Sequence, residues 1–399
     1  MMFRAHPFDV ETVFVQAKKQ QAKKLRGPDS PFFMSIWPMF YIMRVFGLTP
    51  YDFSQDRLVP SNIYLIFSAI AATLYTYIFY VVIRRSFAIQ RDEDNGAVEA
   101  TENTKVIINY SVTIYELGLA AFTRRSFVKT WNALQDYDDD VRQLGYPRKE
   151  TQTAIVAWIV TVIMTINWIA INRIGMYAFY EAWTYNVGYL IIYVGSSIAV
   201  YKFVAMAFFL GQRFHHLNAM AIKSLPSTSG NKSIITISKT TILDLHNDLM
   251  TAAENLESMY SWSLLFWLGN LGIHIVSNMF YIIVWIFKNA KVLSPEGPPS
   301  WGLVFCLSAW LLAFLFQLVL LHIACHYASS QANCISIILI EWQVKMRKRN
   351  DEYVESLLQF LNRGFNFSAG GCFYVNLPLL RSIAALSSTY LVILLQLPQ

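Results

Sequence analysis

Charge is scarce in this sequence. Asp, Glu, Lys and Arg make up 15% of its 399 residues, against 55% hydrophobic residues. That balance excludes a disordered chain and argues against an ordinary soluble domain. Cysteine is scarcer: four positions, Cys306, Cys325, Cys334 and Cys372, too few for a disulfide scaffold. The 17 glycines and 13 prolines form no collagen-like period. There is no glycine-rich phosphate loop, no nucleophile elbow and no catalytic carboxylate pair, so nothing points to an enzyme. No internal repeat of the kind common in secondary transporters is evident. Residues 4–30 carry Arg4, Lys18, Lys19, Lys23, Lys24 and Arg26 without a sustained apolar run, so membrane insertion is expected to begin at the first internal span.

Long apolar runs are what the sequence does have. A helix crossing ~30 Å of hydrocarbon needs about 20 apolar residues. Seven stretches qualify: Asn62–Ile83, Thr104–Thr123, Thr153–Asn172, Trp183–Leu210, Ser261–Phe287, Trp301–Ala324 and Cys372–Leu395. Phe32–Leu48 is also apolar, but Pro38 interrupts it and Pro31 and Pro50 flank it. A buried or re-entrant helix is expected there. The predicted fold class is an all-α membrane protein of seven transmembrane helices with cytoplasmic helical extensions.

Lys and Arg alternate across these spans. The N-terminal segment and the second, fourth and sixth connections hold 23, while the other connections hold 6: Arg84, Arg85, Arg91, Arg173, Lys288 and Lys291. Positive charge stays inside, so the N-terminus is predicted to be cytoplasmic and the C-terminus extracellular. G-protein-coupled receptors have the opposite orientation. Their Asp-Arg-Tyr and Asn-Pro-x-x-Tyr motifs are also missing: Asp56-Arg57 precedes the first span, and Asn376-Leu377-Pro378 does not fit. The sequons at Asn231 and Asn366 fall on the cytoplasmic side and are expected to remain unglycosylated. Most of the cysteines lie at or below the same boundary, so free thiols are expected.

Six regions follow from this plan. They are a cytoplasmic N-terminal segment (1–61), the first four spans (62–210), a cytoplasmic connection (211–260), the fifth and sixth spans (261–324), a further cytoplasmic connection (325–371) and the last span (372–399). Phe209–Ser224, Ile242–Tyr260 and Cys325–Arg349 keep helical periodicity beyond the bilayer, the last ending in the basic run Lys345–Arg349. Ser224–Lys239 reads as a polar linker. Apolar stripes on such extensions need partners, so cytoplasmic assembly is expected.

The chain ends in Thr389-Tyr390, five apolar residues and Gln396. Together with Phe40-Tyr41-x-x-Arg44-Val45-x-Gly47-Leu48-x-Pro50-Tyr51 and Cys325-His326-Tyr327-Ala328, this resembles the signature of arthropod gustatory receptors. Leu397 replaces the family's usual Phe. Leu391 stands where the dedicated sugar branch tends to carry Glu, so the resemblance is to bitter-type or fructose-type receptors. It implies a homotetrameric, ligand-gated, non-selective cation channel of the plasma membrane, passing sodium, potassium and calcium. In such a channel residues 372–399 line the pore, and a small-molecule tastant binds in the outer half of 62–210. A heptahelical receptor that signals through a partner without conducting is the alternative. Membrane lipid surrounds either form; no cofactor, metal ion or nucleic-acid partner is expected. His322, Cys325 and His326 share a helical face but lack further ligands for a tetrahedral shell.

On the last span Ser382, Ala385, Thr389, Ile393 and Gln396 share one helical face. Four copies would place a ring of Ile393, able to close by dewetting, beside a ring of Gln396. A stripe of small residues serves equally as a helix–helix contact. Arg381 lies near the start of the span, where it can snorkel. Candidate ligand groups are Tyr110, Asn167, Trp168, Tyr185, Tyr189, Tyr193, Tyr281 and Trp310, a mixture suited to an organic ligand with apolar faces and hydroxyl or amine groups. An interfacial aromatic belt explains the same residues. Glu116, an acid well inside a span, is expected to pair with Lys202 or to meet a cationic ligand.

Overall fold

The computed structural model describes residues 31–54, 57–89, 96–147, 151–179, 183–224, 237–291, 301–346 and 364–396. Its elements are α1 (Pro31–Val45), the hairpin β1 (Tyr51–Ser54) and β2 (Arg57–Pro60), α2 (Asn62–Ile89), α3 (Gly96–Phe122), α4 (Arg124–Gln143), α5 (Thr151–Phe179), α6 (Trp183–Lys223), α7 (Lys239–Lys291), α8 (Trp301–Met346), the small hairpin β3 (Ser368–Ala369) and β4 (Phe373–Tyr374), and α9 (Leu377–Gln396). Among the described residues, α2, α5, α6, α7 and α8 each contain a stretch long and apolar enough to cross a membrane. A sixth span comes from α3, which with α4 forms a pair bent by 70° at Thr123. The shorter apolar Leu377–Ile393 supplies the seventh expected segment.

Each of the seven expected spans contains a helix, and the extensions appear as continuations. The 41-residue α6, the 53-residue α7 and the 46-residue α8 all outrun a bilayer. α6 is the central helix: its most apolar stretch is mostly buried, whereas those of α2 and α5 are mostly exposed. Residues 225–236 of the predicted linker, with Asn231, and Arg347–Arg349 of the basic run lie outside the described residues.

The last span departs from expectation. Its helix starts at Leu377 rather than Cys372, because Gly370 (φ +58°) and Gly371 (φ +72°) turn the chain through the β3–β4 hairpin. Asn376 then caps α9, its side-chain oxygen accepting from the Leu379 amide at 3.0 Å. The hairpin is tied to α7, with the Gly370 amide donating to the Ser261 carbonyl (2.9 Å) and the Ser261 hydroxyl to the Ser368 carbonyl (3.0 Å).

α1 runs through Pro38 without breaking and packs on α5. It ends where Gly47 takes φ +76°: the Leu48 amide reaches the Met43 carbonyl (3.0 Å) and the Gly47 amide that of Arg44 (3.0 Å). A Cβ at Gly47 would come within 2.7 Å of Ala71 Cβ, so the turn also sets how closely α1 approaches α2. The β1–β2 hairpin lies on α4. Tyr51 stacks on Phe127 (4.9 Å), Asn132 bonds both main-chain groups of Leu58 (3.1 Å each), and Arg57 pairs with Asp136. α4 buries Phe127, Trp131, Leu134, Tyr137 and Val141 at helical spacing against this end of the bundle.

Candidate functional site

The distal end of the bundle holds the first turns of α3, α6 and α8 and the last turns of α5 and α7. Just inside it, five helices converge on one polar and aromatic cluster. α6 contributes Tyr189 and Tyr193, one helical turn apart, with hydroxyls 2.8 Å from each other. α8 contributes Trp310, its ring 4.7 Å from Tyr193 and 6.2 Å from Tyr189. Trp168 of α5 packs edge-on against Trp310 at 5.5 Å. Such edge-to-face contacts suit aromatic quadrupoles.

α3 and α7 supply the polar side. Asn109 is wholly buried and joins its own helix to two others: its side-chain oxygen accepts from Ser196 (3.1 Å, α6) and Asn270 (3.0 Å, α7), and its amide donates to the Lys105 carbonyl (3.1 Å) and to Nε2 of His274 on α7. His274 stacks on Phe314 of α8 at 4.4 Å and lies 5.2 Å from Tyr193. One turn further out Lys105 pairs with Glu102, lies 5.3 Å over the Tyr281 ring, and Glu102 accepts from Tyr189 (3.2 Å). Buried polar groups joined in this way fix the relative rotation of the helices, because each left unpaired would cost ~1–3 kcal/mol. The cluster offers aromatic faces beside amide, imidazole and phenol groups.

Of the expected ligand residues, Trp168, Tyr189, Tyr193 and Trp310 touch one another, and Tyr281 adjoins them through Lys105. Tyr110 lies elsewhere, stacked on Phe79 of α2 at 4.0 Å with its hydroxyl 3.0 Å from Thr76. The cause is helical geometry: Asn109 faces the core, so its neighbour is turned by about 100°. Asn167, adjoining Trp168, is half-buried. The Tyr185 side chain lies outside the described residues.

Glu116 and Lys202 are both buried, deeper than the cluster. They stand close enough for each charge to act on the other, but no direct ion pair joins them among the described residues. Lys202 Nζ instead donates to the Leu48 carbonyl (2.9 Å) and lies 4.5 Å over Phe127 and 5.3 Å over Tyr51. α6 turns Lys202 toward the hairpin and α4, where a carbonyl and two rings solvate it. His322 bonds the Leu318 carbonyl (2.8 Å) through Nδ1, whereas His326, one residue past buried Cys325, is exposed. The four cysteines are free thiols.

Sequence reading missed Asn109, Asn270, His274 and Phe314. A signal existed, since Asn109 and the column Asn270, His274, Asn278 put amides and an imidazole inside apolar spans, where polar groups are costly.

On α9, Leu379, Leu380 and Ile383 pack against the core and Leu391 is buried, facing α7 and α8. Ser382, Thr389, Ile393 and Gln396 are all exposed on the other side, and so is Arg381. Ser382 and Thr389 donate to carbonyls of their own helix, at 3.3 and 3.0 Å.

Comparison with known proteins sets this geometry in a family. The family model described as 7tm Chemosensory receptor matches residues 37–397. Among solved structures, the insect olfactory receptor OR5 from Machilis hrabei is similar over 90% of this chain and 97% of its own, at 14% identity and a TM-score of 0.60. The same receptor in complex with eugenol gives the same coverage and identity with a TM-score of 0.62. No curated protein matches the sequence.

Proposed function

Because the chain belongs to the 7tm chemosensory receptor family, we propose that it is a gustatory receptor acting as a ligand-gated, non-selective cation channel of the plasma membrane. Four copies assemble around α9, with the N-termini in the cytoplasm, and the channel opens to a small non-volatile tastant, a bitter compound or a sugar such as fructose. The observation that carries this reading is α9. Its apolar edge is taken up by α7 and α8, while Ser382, Thr389, Ile393 and Gln396 form an edge the subunit leaves uncovered. In an assembly that edge faces the shared axis, with sodium, potassium and calcium passing between the copies.

The distal cluster is the proposed ligand site, with Trp168, Tyr189, Tyr193, Tyr281 and Trp310 as its aromatic walls. The related fold's complex with eugenol, a small phenol, supports an organic ligand of this kind. A ligand that parts Trp310 from Tyr193 moves α8 relative to α6. It biases the channel by as much as it prefers the open arrangement. The β3–β4 hairpin, bonded to α7, passes that movement to α9.

Agonist-evoked current in patches excised from cells expressing this protein alone tests the reading. Current should survive excision, and Gln396→Ala should alter the permeability ratio or channel block. Loss of current on excision would favour a receptor that signals through a partner. At the ligand site, Trp310→Ala should raise the half-maximal agonist concentration roughly threefold to tenfold while the maximal current is retained, the scale of one lost aromatic contact. An unchanged dose–response curve would remove Trp310 from the site.

A further inference from the structure

Beside the distal cluster, and sharing only Trp168 with it, α1, α5 and α6 line a groove of about 870 Å³. Met39 of α1 and Phe46 just past its end form its floor; Met164 and Trp168 of α5 and Leu190 and Ile198 of α6 form its walls. It opens beside the exposed face of α5, where Ile155, Ile159, Ile163 and Ile166 present an unbroken apolar surface of the kind that faces lipid. The threonine hydroxyls that line it make no demand on an occupant: Thr161 donates to the Ala157 carbonyl (2.7 Å) and Thr165 to the Thr161 carbonyl (2.8 Å). Asn172 at the distal end is also engaged, its carbonyl and side-chain oxygen both accepting from Asn186 (2.7 and 2.8 Å). Arg173 is the one charged residue in the lining. Its side chain is exposed, and no acid pairs with it among the described residues.

We propose that this groove is a phospholipid site, with one acyl chain lying between α5 and α6 and the phosphate held by Arg173. Three features specify the occupant. The mouth is reached from the bilayer, so the ligand arrives dissolved in lipid. The lining from Arg173 to Val160 spans about 20 Å along α5, longer than the ~15 Å of one hydrocarbon leaflet, which suits an extended chain rather than a compact molecule. A lone guanidinium at the distal end matches a phosphate, to which it can donate two parallel hydrogen bonds. The bound chain lies against Trp168, whose ring contacts Trp310 of the ligand cluster. Lipid occupancy therefore supports one wall of that cluster from behind. The lipid site stands whether or not the chain conducts ions.

Photolabelling in nanodiscs of phosphatidylcholine containing a trace of phosphatidylcholine with a diazirine on its acyl chain tests this directly. Adducts should concentrate on peptides covering 160–176 and 190–198, well above those on the exposed face of α2 around Ile63 and Ile70. Thr165→Trp, which fills the groove at mid-length, should cut groove adducts at least fivefold and leave α2 labelling unchanged. Arg173→Gln, at an exposed position that the fold does not need, should reduce the lipid that co-purifies in detergent, counted by native mass spectrometry. Groove labelling no stronger than on α2, or full labelling of Thr165→Trp, overturns the proposal, as does unaltered lipid retention in Arg173→Gln.

Discussion

Ile393→Ser is expected to produce a channel that leaks without agonist. Residues on a helix advance by about 100°, so Ile393 lies some 200° around α9 from Leu391. Leu391 is buried against the subunit, and Ile393 keeps 48% of its surface exposed. Ile393 is the large apolar residue next to Gln396 on the edge formed by Ser382, Ala385, Thr389 and Gln396, so it is where four copies would squeeze water out of the conduit. A serine there removes the bulk and supplies a hydroxyl that holds water, and the closed state loses its dewetted barrier. The ratio of basal to agonist-evoked current should rise at least tenfold in whole-cell recordings, equivalent to about 1.4 kcal/mol off the closed state's advantage. Leu377→Ser is the control. Leu377 is also exposed, at 38%, but lies about 160° around α9 from Ile393, so its basal current should stay at the wild-type level. A basal current in Ile393→Ser that matches wild type would place the constriction elsewhere.

Asp138→Ala should have the largest effect on stability. Arg213, at the proximal end of α6, is wholly buried. It pairs with Asp138 of α4 and donates to the carbonyls of Phe209 (3.0 Å) and Leu134 (3.3 Å), and the Tyr137 hydroxyl donates to the Arg213 carbonyl (3.1 Å). This network clips the amphipathic α4 onto the central helix. Removing the carboxylate leaves a buried guanidinium short of its counter-charge, which costs ~3–5 kcal/mol, a large share of the ~5–15 kcal/mol that stabilises a typical folded protein. Thermal unfolding of detergent-solubilised protein, followed by size-exclusion chromatography, should show a marked loss of monodisperse material. Combining Asp138→Leu with Arg213→Met should recover much of it, because a hydrophobic pair of similar volume avoids the desolvation penalty. Equal damage from the single and double variants would point to packing rather than charge.

How much of this could be read from residues alone differs from one part to another. α2, α5 and α8 were legible because each spans hydrocarbon as an unbroken apolar run, and hydropathy reports that directly. The extensions of α6 and α7 were legible because helical periodicity continues past the apolar run. The start of α9 was misplaced by five residues, since Cys372, Phe373 and Tyr374 are apolar enough to pass for span. Two glycines with positive φ and a capping Asn376 set the true boundary. The α3–α4 bend at Thr123 left no proline or glycine to mark it.

Partner choice is where local sequence carried least. Glu116 and Lys202 looked like a pair by depth, yet Lys202 is solvated by the Leu48 carbonyl and the rings of Phe127 and Tyr51, residues at least 75 positions away in the chain. Tyr110 and Tyr193 were alike as aromatic residues in the outer half of a span. One faces α2 and the other the core, because helix rotation is set by what packs on the opposite side.

The sequence by itself determined that this chain spans a membrane as a bundle of helices, that its extensions continue beyond the bilayer, and that its last helix carries a slim polar edge. Each of these follows from hydropathy and periodicity, which are local. Only the tertiary structure decided which polar groups meet Asn109, where Lys202 finds its solvation, and that a groove between α5 and α6 backs onto Trp168. Those depend on how helices distant in sequence rotate and cross, and burial energies summed over many contacts settle that rotation.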